Sequence, residues 1–401
     1  MPEATLADAL DILVVDDSPT YRMILSRAVR NWPRANLVGT AGDGQAALAA
    51  IEEKRPHLVL LDISMPILDG IETLRRIRSR WNDVDVVMCS GIDANQTGLT
   101  MQALSLGALD FIAKPQGESP AESFAALAST LNPLLELANT RKRRRVAPPA
   151  TSRPIAVPPP IVAPASTSLP PSPPPRPMLP EASAVARPKS PAALPTAQSG
   201  GSRRPPGRIE LVAIGVSTGG PNALQKLIPK IPGDFPVPIV CVQHMPPLFT
   251  ASLAERLDRD SAIAVCEGAD GTVLKAGTMY IAPGGQHMVV NRAADGKLRL
   301  ALHQEPPVHS CRPSVDVLFR SLLAPVQGSV VTVVLTGMGA DGADGAKALR
   351  EKGGWSIIQD EATSVVWGMP GAVHAANADD EILPLEAIAN RLHELLTRRP
   401  V

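Results

Sequence analysis

Three stretches far apart in the chain each end an apolar run with a residue suited to acyl transfer. They are Ser217 in "LVAIGVSTGGPNAL", His244 in "VPIVCVQHMP" and Asp341 in "VVTVVLTGMGADGA". A serine hydroxyl is a poor nucleophile at neutral pH until a base comes within hydrogen-bond reach. An imidazole in turn needs an acceptor to fix its tautomer and stabilise its charged form. The Met338 N–H, in a turn whose glycines leave backbone donors uncovered, would face a developing oxyanion. Taken singly, each side chain has a plainer role: an N-cap, a loop histidine, a helix cap. What gives them weight is their joint position at three strand ends.

The same glycines allow a rival reading. "TGMGADGADGA" holds a G-x-G-x-x-G at Gly337, Gly339 and Gly342 between a strand and a helix, and Asp360 stands near the offset of a ribose-binding acid. Ser217 itself sits in a G-x-S-x-G that is also a dinucleotide fingerprint with its middle glycine replaced. Asp341 and Asp344 weigh against that cofactor, because a carboxylate at a helix start competes with a pyrophosphate for the free N–H groups and the positive dipole end. The order Ser, His, Asp also differs from the Ser, Asp, His of α/β-hydrolases.

The N-terminal part carries a second constellation. Asp16 and Asp17 follow the first apolar run, Asp62 the third, Ser90 the fourth and Lys114 the fifth. In an open parallel sheet these positions share the ligand-binding edge. Three carboxylates converging there repel one another unless a hard divalent cation bridges them, and Mg2+ suits an oxygen set. One carboxylate could then attack a phosphoryl donor, with the lysine ammonium and serine hydroxyl holding the transferred oxygens.

The elements that must position these residues follow from pattern. "DILVV", "NLVG", "HLVLLD", "DVVMCS" and "DFIAKP" read as buried strands alternating with helices, the first helix capped by Ser18 with Pro19 behind it. That alternation predicts a five-stranded, doubly wound parallel α/β domain over residues 8–138. A Pro-rich segment over 139–207 cannot bury enough apolar surface to order itself and reads as a disordered linker. The basic run Arg141–Arg145 before it reads as a solvated helix end. Over 208–398 the alternation resumes as a Rossmann-like α/β domain with an antiparallel hairpin turning at Asp295-Gly296.

Composition excludes several classes. Lys plus Arg equals Asp plus Glu at 39 each among 401 residues, so no net charge draws the chain to nucleic acid or an anionic membrane. No apolar stretch approaches the roughly 20 residues needed to span a bilayer, and no signal-peptide pattern opens the sequence. The four cysteines are scattered, with no C-x-x-C pair, and Cys311 reads as an incidental loop residue. His287, His303 and His309 lack metal-ligand spacing. A cytoplasmic protein is expected.

"LVVDDSPTYRMIL", "LLDISMPILDGIETL", "CSG" and "GALDFIAKP" resemble the receiver domain of two-component response regulators. That resemblance implies Asp62 as phospho-acceptor and Mg2+ held by Asp16, Asp17, Asp62 and the main-chain carbonyl of Ser64. It also implies Ser90, Phe111 and Lys114 as switch residues, with a cis bond at Lys114-Pro115. "GVSTGGPNAL", "VQHMP", "YIAPGGQHM", "RPSVDVLF", "LTGMGADGA" and "DEATSVVWGMPGAV" resemble the catalytic domain of the chemotaxis protein-glutamate methylesterases. This second resemblance implies Ser217 as nucleophile, His244 as base and Asp341 as its orienter, with no cofactor in the esterase site. The partners implied are a chemotaxis histidine kinase as phosphodonor and methylated chemoreceptor cytoplasmic domains as substrate. A linker longer than the family's usual connection and Cys311 before RPSVD are the departures.

Overall fold

The structure is a computed structural model and describes residues 9–114, 120–146, 198–199 and 203–397. Residues 147–197 and 200–202 of the expected linker, and Pro115 with its expected cis bond, lie outside the described residues.

The first domain alternates β1 (Leu10–Val15), α1 (Pro19–Arg30), β2 (Ala35–Ala41), α2 (Gly44–Lys54), β3 (Leu58–Asp62), α3 (Gly70–Arg80), β4 (Asp85–Ser90), α4 (Ala94–Ser105), β5 (Asp110–Ala113) and α5 (Pro120–Val146). Its five strands pair in the order β2-β1-β3-β4-β5, all parallel. Helix starts are set locally: Ser18, Asp43, Asp69 and Asp93 each accept the N–H three residues on. β3 and β4 are buried along their whole length, as continuous apolar runs in a sheet covered on both faces must be. α5 runs to Val146, past the residue-138 boundary expected from sequence. Arg and Lys propagate a helix well and suit its C-terminal dipole end, and the first proline beyond them is Pro148.

The second domain comprises β6 (Gln198–Ser199), β7 (Leu211–Val216), α6 (Gly220–Leu227), β8 (Ile239–Gln243), α7 (Phe249–Asp260), β9 (Ala264–Glu267), β10 (Thr278–Ile281), β11 (His287–Arg292), β12 (Leu298–His303), α8 (Val315–Ser321), β13 (Val330–Val334), α9 (Ala343–Glu351), β14 (Trp355–Gln359), α10 (Met369–Ala375), β15 (Glu381–Leu383) and α11 (Leu385–Thr397). The main sheet runs β6-β15-β14-β13-β7-β8-β10-β9 and is parallel except at β6. β11 and β12 form the antiparallel hairpin, with Gly296 at φ 78° in its turn. From β7 the chain winds first toward β8, then crosses to β13 on the other side. That topological switch point opens a crevice at the carboxyl ends of β7, β8 and β13. Among the described residues no helix is long and apolar enough to cross a membrane.

The two domains pack directly. α4 lies against α6 and α7. Phe111 of β5 stacks on Phe249 at the start of α7, ring centroids 4.5 Å apart. Ser105 donates to Gln225 at 2.8 Å and Ser252 to Thr97 at 3.2 Å.

Candidate active site

Parallel pairing carries the catalytic candidates to one edge. Val216 pairs with Gln243 and Gly215 with Val334, and the ladder continues as His244 N donates to Val216 O and Ser217 N to Thr336 O. Ser217 therefore sits beside both the His244 loop and the glycine-rich turn after β13. Gly219 turns the chain at φ 74° to start α6. Gly337 leaves room for the serine, since a Cβ there would lie 2.8 Å from the Ser217 Cβ. The Ser217 main chain is engaged on both sides, whereas its hydroxyl has no partner among the described residues.

His244 Nε2 lies 2.8 Å from Asp341 Oδ2. The carboxylate also accepts from Ser314 Oγ at 2.8 Å, Val315 N at 2.7 Å and Asp316 N at 2.9 Å. Burial raises its pKa, but His244 first and then the Asp316 and Val315 amides outweigh burial and hold it below the usual carboxylate range. An ionised Asp341 fixes the proton on Nε2 and leaves Nδ1 as the basic nitrogen. Burial lowers the imidazole's pKa, and the bonds to Asp341 and Cys311 more than reverse this, taking it up to about 9. Cys311 Sγ stands 3.6 Å from Nδ1, so the thiol read from sequence as incidental is in contact with the His244 imidazole. Sequence proximity could not reveal this, because the two residues are 67 positions apart.

Helix starts around Asp341 are capped reciprocally. Asp341 serves α8, while Asp316, at the start of α8, accepts from Gly345 N at 2.6 Å in α9. Gly345 N, one of the α9 amides that a pyrophosphate would need, is taken by Asp316, and Asp360 caps its own turn through Thr363 at 2.9 Å. Both facts oppose a dinucleotide. Buried His287 supports the arrangement from below. Its Nδ1 accepts from Ser314 N at 3.2 Å, and its Nε2 lies 3.2 Å from Pro306 O. Sequence reasoning gave neither His287 nor Ser314 a role, and their signal was only the quoted "GGQHM" and "RPSVD". The Met338 N–H has no acceptor among the described residues.

In the first domain Asp16, Asp17 and Asp62 offer oxygens within 4.8 Å of one another. Asp16 and Asp62 are buried, and Lys114 Nζ reaches both at 2.9 and 2.8 Å. Burial raises both acids against the pull of Lys114, Asp62 to about 6. An all-oxygen set with excess negative charge and too few donors fits a hard divalent cation. Ser90 is buried and accepts from Thr100 Oγ1 at 2.7 Å. Ser64 lines a surface cavity of about 640 Å³ with Asp17 and Met65.

A contact absent from the sequence reading joins the two sites. Asp110, the residue before Phe111, accepts from Phe111 N at 2.9 Å and lies beside the Ser217 turn. Burial raises its pKa to about 6, although the Phe111 and Gly219 N–H groups and the Thr218 hydroxyl pull it down. Met338, Val365 and Val366, beside the catalytic turn, pack against the apolar cluster of the first domain.

Comparison with known proteins agrees along nearly the whole chain. The family described as CheB methylesterase matches residues 212–392, and the response regulator receiver domain matches 12–123. A protein-glutamate methylesterase/protein-glutamine glutaminase of Trichodesmium erythraeum (strain IMS101) is 41% identical over 389 residues, 97% of this chain and 98% of its own. Its namesake in Symbiobacterium thermophilum (strain DSM 24528 / JCM 14929 / IAM 14863 / T) is 42% identical over 381 residues, 95% of each. The crystal structure of the Thermotoga maritima CheB methylesterase catalytic domain is 43% identical, with a TM-score of 0.46, and spans 47% of this chain and 98% of that one. A receiver sheet and an esterase sheet in one chain, alike to these relatives from end to end, make it a member of the protein-glutamate methylesterase/protein-glutamine glutaminase family.

Proposed function

We propose that the protein is a phosphorylation-activated serine esterase that hydrolyses glutamate methyl esters on chemoreceptors. Ser217 attacks the ester carbonyl, and His244 Nδ1 takes the hydroxyl proton and returns it to the departing methoxide, releasing methanol. Asp341 holds the imidazolium that forms, and the Met338 N–H supports the oxyanion. Water then attacks the acyl-serine with the same base. A receptor glutamine enters the same cycle with ammonia as leaving group. The observation that carries this reading is the 2.8 Å bond from His244 to a carboxylate held ionised by three further donors.

Control lies in the receiver. A chemotaxis histidine kinase donates a phosphoryl group to Asp62. Asp16, Asp17, Asp62 and the Ser64 carbonyl would hold Mg2+, which offsets phosphate charge when bound. Lys114 and Ser90 receive the phosphoryl oxygens, and Ser90 must turn its O–H from Gly91 O to do so. Phe111 then departs from Phe249, Asp110 releases the Ser217 turn, and substrate reaches the crevice. The neutral chain and the absence of a membrane-spanning helix among the described residues suit a cytoplasmic enzyme acting on receptor cytoplasmic domains.

The test is methanol release from methylated receptor, together with labelling by a serine-directed fluorophosphonate. Wild type should release methanol and carry the label on the Ser217 peptide. Turnover that persists in Ser217→Ala would remove serine from the mechanism.

A further inference from the structure

Cys311 and His244 make a donor pair for which the esterase reaction has no use. Sγ and Nδ1 are 3.6 Å apart, and Asp341 holds the opposite ring nitrogen at 2.8 Å. A tetrahedral zinc ion, with Zn–S about 2.3 Å and Zn–N about 2.0 Å, spans a sulfur–nitrogen edge of about 3.5 Å. The separation present matches that edge in length. Thiolate and imidazole also select a borderline-soft ion over Mg2+ or Ca2+.

His244, Cys311 and Asp341 all offer ligand atoms within 4.8 Å, yet the ring lies between thiol and carboxylate. Asp341 therefore orients the imidazole from outside the coordination shell, the usual carboxylate–histidine–metal arrangement. Cys311 is only partly buried, which leaves the other coordination positions to water. His309, Asp316 and Asp341 form the neighbouring group, but Asp316 and Asp341 are occupied by backbone N–H groups of α8 and α9.

We propose that Cys311 and His244 form an inhibitory binding site for zinc or a similar divalent ion, and that occupation withdraws Nδ1 from Ser217. The inhibitory part rests on the esterase reading above; the binding part does not. With two protein ligands, affinity falls below that of a four-ligand structural site, so the ion acts reversibly.

The experiment titrates Co2+ and then Zn2+ into the full chain with Mg2+ saturating the receiver. Oxygen ligands in the receiver give no thiolate-to-cobalt charge-transfer band, so that band reports a cysteine. Wild type and Cys266→Ala, which lacks the exposed thiol elsewhere, should both show it and lose it to Zn2+. Cys311→Ser and His244→Gln should not. In parallel, excess Zn2+ should cut methanol release by about tenfold or more in wild type, and Cys311→Ser should need about 100-fold more zinc. A missing band in wild type, or a band and inhibition unchanged in Cys311→Ser, overturns the proposal. Failure of methanol release altogether would refute the esterase reading and leave the cobalt band to decide binding.

Discussion

The two sheets of this chain place acids at the same kind of edge and treat them in opposite ways. In the receiver, Asp16, Asp17 and Asp62 crowd together with Lys114 as the shared cation, and the pKa values of Asp16 and Asp62 are raised. In the esterase domain, Asp341 collects three donors besides His244 and its pKa is lowered. The first pocket is short of positive charge, which suits a hard divalent cation. The second has its charge already satisfied and so fixes one imidazole. Asp110 and Phe111 connect them, since one short strand touches both the Ser217 turn and the helix after His244.

The largest effect should come from Ser217→Ala. Methanol release should fall by about 10⁴-fold or more while Asp62 still takes up phosphate, which would separate the two pockets cleanly. Asp341→Asn should cost about 10³- to 10⁴-fold by releasing the tautomer. It should also pull down the pH limb of the reaction. His244 acts only when neutral, so in wild type the rate should rise with pH toward about 9, and the limb should move lower without the carboxylate. A pH–rate profile of both proteins checks this.

Removing the connection should have a smaller effect of opposite sign. Asp110→Ala should raise methanol release without phosphodonor by about tenfold, on the scale of one polar contact to a buried carboxylate, and shrink the stimulation that a phosphodonor adds. A basal rate equal to wild type would mean that the Asp110 contact does not restrain the turn. Smallest is a stability effect. Burial raises the folded-state pKa of Asp62 from the ordinary 3.8 to about 6, so folding free energy is lost as pH rises from 3.8 through 6. Asp62→Asn should therefore stabilise the chain by about 3 kcal/mol above pH 6 and by nothing below pH 3.8, as thermal melts would show. Millimolar Mg2+ should stabilise wild type and erase most of that difference.

The sequence made legible whatever depends on local pattern. Apolar runs gave the strands, Ser18 and Pro19 the first helix start, Asp295-Gly296 the hairpin turn, and the glycines after β7 and β13 the open turns. Strand-end positions then brought forward Ser217, His244 and Asp341, which parallel register sets side by side. Contacts that depend on how distant loops fold back were not legible. Cys311 reaches His244 through a loop where His309 and Ser310 adopt positive φ, a path no periodicity encodes. Asp110 stands in sequence only as the first residue of the "DFIAKP" strand, and only the packing of one domain on the other brings it beside Gly219. The extent of α5 was missed for a simpler reason: helix propagation through basic residues outlasts the likeness that set the boundary.

The most direct measurement is methanol release from methylated receptor by wild type and Asp62→Asn, each with and without a small-molecule phosphodonor in Mg2+. The account predicts acceleration in wild type alone, with both proteins equal and slow in its absence. Equal acceleration of the two, or none in wild type, would contradict control of the Ser217 turn from the receiver pocket.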